Sequence, residues 1–517
     1  MINKKIYFLV VLALLNACAP TITVNPPTTI SPSLSDSASV STTNSPSPVS
    51  KVTPTPSGLM SAMPSPNPTV SQTPIANVSS APIATSPTPT SSPTANNTSN
   101  GNSPNSNITP VTPTPTPRVA LSTLSVEELK QITDSSIVKS NNAFGINLYK
   151  DIIKEQKNEN VFISPASLAL ALQMTYNGSD SDTKTEMAKA LELGSLSLEE
   201  LNNLSKTLIK KLNSPAPDIQ LQVANSLWGG KGRIEFLKDF KDNLTNYYNA
   251  QSAELEFSDP KAVDTINGWA SKNTNGKIPK VIDKIDDGII AFIMNAVYFK
   301  ANWTEKFDKS QTENKEFTLA DGTKKSVPMM ADFRSFRYFR NYVQYPEVLD
   351  PSLGFEGAEL TYGVDQKVSL FLFLPDTKSS LEKFYSQLNE ENLEKWTKGF
   401  YHNDGYISFP KFKNEWKKEL KGNLTNLGMV KAFQDNANFT KMGTAGGNIY
   451  IDFVLHNTFV DVNEEGTEAA AVTTVGAGAT SSSPTARFVA DRPFFYTIRD
   501  NETKSILFMG AVNDPKY

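Results

Sequence analysis

Glu464-Glu465-Gly466-Thr467-Glu468-Ala469-Ala470-Ala471-Val472-Thr473-Thr474-Val475-Gly476-Ala477-Gly478-Ala479-Thr480-Ser481-Ser482-Ser483-Pro484 carries no large side chain, and its only proline is the last residue. It follows residues 450–462, which read as a strand. A stretch without bulk makes an exposed loop that a protease cleft accepts easily. With a strand's period of two, Thr467, Ala469, Ala471, Thr473, Val475, Ala477 and Ala479 share one face, all small and uncharged. Glu468 falls on the other face with Ala470, Val472, Thr474 and Gly476. The loop can therefore enter a sheet as a new strand without burying a carboxylate or losing ladder hydrogen bonds to proline.

Upstream, apolar residues at Phe144, Leu148 and Ile152 predict a helix from about Ser136 to Lys154. Asn160-Val161-Phe162-Ile163 reads as a short strand. Ser164 and Pro165 are suited to cap and open the next helix, which is apolar through Leu168, Leu170, Leu172 and Met174 and so must be buried. Thr183 and Glu186 fit a capping box ahead of Met187. Residues 289–299 form a continuous apolar run, as in a strand covered on both faces. Early helices followed by long strands predict a mixed α+β domain with a large sheet.

Composition divides the 517 residues sharply. Residues 19–118 hold 21 of the 34 prolines and no Phe, Trp or Tyr, so they cannot bury enough apolar surface to fold. Residues 119–517 hold 47 of the 49 aromatics and form the globular domain. Two histidines (His402 and His456) and one cysteine leave no room for a His/Cys zinc site, a thiol nucleophile pair or a disulfide framework. A net charge of -4 without a long basic run gives no footprint for nucleic acid. No P-loop, GxSxG, HExxH or complete GxGxxG pattern occurs, and no cofactor is implied. His402, in Tyr401-His402-Asn403-Asp404-Gly405, is expected in a surface loop.

The segment Met1–Ala17 has a basic start, an apolar core and small residues before Cys18, the layout of an export signal. Its apolar run is too short to span a bilayer. Leu15-Asn16-Ala17-Cys18 resembles the bacterial lipoprotein lipobox, which implies lipid attachment at Cys18. Residues 18–118 are then a lipidated tether with an r.m.s. reach of roughly 50–60 Å, and the domain is expected outside the cytoplasm on a membrane.

Several separated blocks together resemble the serpins, over nearly the whole of 136–516. They are Asn160-Val161-Phe162-Ile163-Ser164-Pro165 with Ser167; Ile266-Asn267-Gly268-Trp269; Asn295-Ala296-Val297-Tyr298-Phe299-Lys300 with Trp303; Phe409-Pro410-Lys411-Phe412; Leu427-Gly428-Met429; residues 463–474; Asp491-Arg492-Pro493-Phe494; and Phe508-Met509-Gly510. The resemblance implies a serpin fold: a large central mixed sheet, further sheets, about eight to nine helices and an exposed reactive-centre loop. It implies a monomer that is no enzyme but a suicide substrate, trapping a serine (or cysteine) endopeptidase as an acyl-enzyme when the loop inserts into the main sheet.

Glu464, Glu465, Gly466, Thr467, Glu468, Ala469, Ala470 and Ala471 match the family's inhibitory hinge. Counting seventeen residues from Glu464, as the family does, places the reactive bond at Thr480-Ser481, with Ala479-Thr480 the competing bond. A small residue there implies an elastase-like or subtilisin-like target. Arg487 is too close to Pro493 to serve. Ser164, Ser167, Asn295 and His456 match the polar cluster beneath the opening sheet, and Trp303 a tryptophan where insertion begins. The alternative is a non-inhibitory serpin acting as a binding or chaperone-like module, whose hinge would carry prolines or bulky charges.

Overall fold

The computed structural model describes residues 6–8, 124–213, 219–345, 350–467 and 486–517. Glu468, Ala469, Ala470, Ala471, the Thr480-Ser481 and Ala479-Thr480 bonds, Cys18 and the tail lie outside the described residues.

The first long helix runs Ile137–Glu155 and buries Phe144, Leu148 and Ile152. After the two-residue strand Phe162–Ile163 comes Pro165–Tyr176, a helix buried at every position, as its almost wholly apolar composition requires. Two local expectations change. Ser164 stands at the N-cap of this helix, but its side chain makes no capping bond; its hydroxyl donates instead to the Leu507 carbonyl at 2.7 Å. The next helix starts at Ser181, capped by Asp180, so Thr183 and Glu186 form no capping box. Their side chains accept from distant backbone: Thr183 from Asn438, and Glu186 from Val430 and Lys431. True capping boxes stand at Ser125/Glu128, opening Val126–Asp134, and at Ser197/Glu200, opening Leu198–Leu212. Eleven α-helical segments occur among the described residues. The excess over expectation is the short turns Asn341–Gln344 and Lys421–Asn426.

Three sheets organise the strands. The nine-stranded sheet includes Lys324–Arg340, Phe355–Tyr362, Val368–Pro375, Tyr401–Pro410, Phe494–Asp500 and Ile506–Val512, each hydrogen-bonded to its neighbours. One of its edge strands is Ala486–Val489, where the described chain resumes, and Phe162–Ile163 stands at the other end. His402 lies in Tyr401–Pro410, so it is exposed but on a strand rather than in a loop.

The main, seven-stranded sheet is ordered Phe412–Glu419, Ile451–Asn463, Gly466–Thr467, Ala291–Asn302, Ile219–Gly230, Ala250–Leu255, with Ile6–Phe8 also on Ile451–Asn463. Gly466–Thr467 is antiparallel to both long strands beside it, so Ile451–Asn463 and Ala291–Asn302 run in the same direction. Among the described residues no ladder joins those two strands directly. The two residues of Gly466–Thr467 bridge them at one end. At the other, Ile6–Phe8 from the N-terminal apolar run pairs in parallel with Ile451–Asn463, Ile6 opposite Ile451 and Phe8 opposite Val454.

Candidate functional site

The head of this opening is built from backbone first. Residues 464–466 reverse the chain so that Asn463 faces Gly466 and Val462 faces Thr467. Gly466 has φ +142°, and a Cβ on it would lie 2.1 Å from the Ala301 carbonyl oxygen. Only glycine fits both the conformation and the space. Trp303 grips the same reversal twice: its backbone N–H donates to the Glu465 carbonyl at 3.0 Å and its indole N–H to the Asn463 carbonyl at 2.8 Å. The indole is held in turn by stacking on Tyr362, centroids 4.3 Å apart, with Phe307 and Phe409 edge-on.

Thr467 points inward and is 2 % exposed, its hydroxyl 2.8 Å from that of Tyr362. Burial pushes the Tyr362 phenol well up, so it stays neutral and can donate to or accept from Thr467. The two glutamates are also tied down. Glu464 accepts from Thr312 at 2.9 Å and pairs with Lys411 at 3.1 Å. Glu465 pairs with Lys306 at 2.7 Å and Lys309 at 2.9 Å. Burial alone would raise the Glu465 carboxyl, but bonds from the two lysines outweigh it and hold it below the usual range. Residues 464–467, the first four of the expected hinge, are thus docked on the head of the main sheet.

Below the hinge, a narrow polar crevice separates Asn295–Val297 from His456–Phe459, with Ser164 and Ser167 at its floor. The structure brings Ser164, Ser167, Asn295 and His456 into one buried cluster. His456 Nε2 accepts from the Ser164 backbone N–H at 3.0 Å, while its Nδ1 has no partner among the described residues. Burial drives the imidazole pKa down to about 3, so it is neutral. Ser167 donates to Asn295, whose amide donates to Asn225 at 2.7 Å. Asn225 was not singled out from sequence, nor were Tyr362, Lys306, Lys309 or Thr312; Lys411 and Asn463 stood in matching blocks but were given no role. Arg487 lies within Ala486–Val489, in register with Tyr406, so it belongs to the sheet edge and not to the exposed loop.

A family model described as Serpin (serine protease inhibitor) matches residues 139–515. The chain belongs to the serpins. It is 33 % identical over 387 residues to the leukocyte elastase inhibitor of Equus caballus, covering 73 % of this chain and 98 % of that protein. The Xenopus laevis leukocyte elastase inhibitor is 32 % identical over 381 residues, covering 72 % and 97 %. Among solved structures, the thermophilic serpin tengpin in its native state superposes with a TM-score of 0.65 at 32 % identity, over 76 % of this chain and 96 % of that one. The α+β serpin fold with its several sheets is therefore the fold of this chain, and its place is among protease inhibitors rather than catalysts. The helix Val126–Asp134 precedes the matched region; Ile132 and a 2.7 Å pair between Glu128 and Lys210 dock it on Leu198–Leu212.

Proposed function

We propose that this serpin is inhibitory and traps an elastase-like or subtilisin-like endopeptidase as a covalent acyl-enzyme. The observation that carries this is the opening itself, with Gly466–Thr467 already seated as an antiparallel strand at its head. After attack at Thr480-Ser481, or at Ala479-Thr480, the freed chain continues downward from Thr467 and drags the bound protease with it. Gly466 is the pivot, Trp303 and Tyr362 hold the top, and small residues from Ala469 to Ala471 pass without a steric or charge penalty.

The register extends this. Thr467 pairs with Ala301 and with Val462. Six residues further on, Thr473 comes opposite Asn295 on one side and His456 on the other, on the face that Thr467 already buries. Its hydroxyl then meets Ser164, Ser167 and the unpartnered Nδ1 of His456. Insertion thus completes both ladders and a hydrogen-bond network beneath them.

The same proposal places the mature chain outside the cytoplasm, held by lipid on Cys18 with residues 19–118 as tether. Cleavage before Cys18 also removes Ile6–Phe8 from the far end of the opening. Cys18→Ser should release the protein from the membrane fraction and abolish lipid labelling; retention on the membrane would count against it. For inhibition, the protein is mixed with elastase and with subtilisin and run on denaturing gels. A covalent band is expected; loop cleavage without a band across a broad panel, with no gain in thermal stability, would leave a non-inhibitory binding serpin instead.

A further inference from the structure

On the edge of the nine-stranded sheet, three side chains stand in one cross-strand row. Tyr406 is in register with Phe333 on one side and Arg487 on the other, so all three share a face. Phe333 is 52 % exposed, and Arg487 is exposed with its guanidinium carbon 4.8 Å from the centre of the Tyr406 ring. Lys315 Nζ reaches the Tyr406 hydroxyl at 3.5 Å and Glu313 at 3.2 Å. Arg487 has no carboxylate partner among the described residues. A single exposed aromatic is ordinary. A Phe–Tyr–Arg row with an uncompensated cation is the residue combination that dominates protein–protein contacts.

Its position decides what would cover it. Arg487 is six residues beyond Ser481, and six residues of chain span at most about 20 Å. A protease of about 230 residues has a radius of gyration near 17 Å. An enzyme attacking the reactive bond therefore overhangs this row. We infer that Phe333, Tyr406 and Arg487 form a secondary docking surface for the target endopeptidase, fitting an apolar patch with an acidic rim on the leaving-group side of its cleft. This rests on the inhibitory function proposed above. It adds that recognition extends beyond the loop: the loop's small residues select the cleft, and the sheet edge selects the enzyme's outer surface.

The test uses the full chain with elastase and with subtilisin, comparing wild type, Phe333→Ala and Arg487→Glu. Both variants alter exposed side chains, so thermal melts should match wild type. With at least one enzyme, each variant should slow covalent capture about fivefold to thirtyfold, while the number of inhibitor molecules consumed per enzyme stays unchanged. The Arg487 effect should shrink with added salt. Binding of the same enzymes with the nucleophile changed to alanine should weaken in parallel, which reads the surface without any covalent step. Absence of a covalent band with wild type would overturn the inhibitory function alone. Capture rates and inactive-enzyme affinities within twofold of wild type for both variants and both enzymes would overturn the docking surface alone.

Discussion

The two large sheets treat their backbone differently. In the nine-stranded sheet, Phe355–Tyr362, Val368–Pro375, Phe494–Asp500 and Ile506–Val512 are neighbours in one unbroken series of ladders. Aromatics such as Phe355, Phe373, Phe384 and Phe495 lock it against the helices. The main sheet has long, largely apolar strands too, yet among the described residues Ile451–Asn463 and Ala291–Asn302 share a ladder partner only in Gly466–Thr467 at one end, while Ile6–Phe8 at the other pairs with Ile451–Asn463 alone. Length and apolarity therefore do not by themselves close a sheet. One sheet is continuous across its long strands, and the other is open between two of them among the described residues.

The strongest way to break that difference is to stop the main sheet from closing. Thr467→Arg puts a guanidinium where a 2 % exposed hydroxyl meets Tyr362. Burying an unpaired charge costs several kcal/mol. The covalent band should vanish, leaving cleaved serpin whose melting temperature does not rise; a persistent band would contradict the insertion route.

Gly466→Ala attacks the pivot from the other side, since its Cβ collides with the Ala301 carbonyl and the positive φ is strained. A loss of about 1–3 kcal/mol in native stability is expected, read from urea unfolding. The corresponding change at Gly422, where a Cβ has open space, should be far milder.

Acid should also act on the main sheet. His456 stays neutral in the fold down to about pH 3, whereas the unfolded imidazole gains a proton near 6.5. Between those values acid favours the unfolded chain, so stability falls as pH drops. From pH 6.5 to 5 the loss is about 2 kcal/mol, and His456→Asn should flatten that slope in urea titrations at the two pH values. Glu465 works in the same direction through its depressed carboxyl: its pairing with Lys306 and Lys309 is lost as pH falls through the folded value.

The smallest effect is expected from Thr473→Val. The native melt should be unchanged, while the thermal gain on loop cleavage shrinks by a few degrees, because one hydrogen bond to the cluster is worth about 1 kcal/mol. An undiminished gain would place Thr473 in another register.

The difference between the sheets was partly legible in sequence. The apolar runs of the long strands are local patterns, so the strands that flank Gly466–Thr467 could be read directly; the small-residue face from Thr467 onward is equally local, but beyond Thr467 it lies outside the described residues. Ser164, Ser167, Asn295, His456 and Trp303 came from family resemblance, because no spacing unites residues so far apart. Tyr362 carried no signal at all, and Lys411, although it stands in the block Phe409-Pro410-Lys411-Phe412, carried none for its role: each contacts the hinge only through tertiary packing. Thr183 and Glu186 show the opposite failure. Their spacing fits a capping box, but Asp180 takes the cap and the chain near 430 takes their oxygens. Meanwhile the boxes at Ser125 and Ser197 were local and readable, and went unread.

One consequence lies in strand direction. Ala291–Asn302 and Ile451–Asn463 run the same way, so meeting each other directly would form a parallel ladder, whose slanted bonds are slightly weaker per residue. Gly466–Thr467 runs against both, and a chain continued from it in the same direction would form two antiparallel ladders at once. The turn at 464–466 has thus already chosen the polarity of whatever enters. On the proposed mechanism, the direction of insertion is written in the orientation of this backbone before any bond is cut, and the enzyme that cuts it would supply only the release.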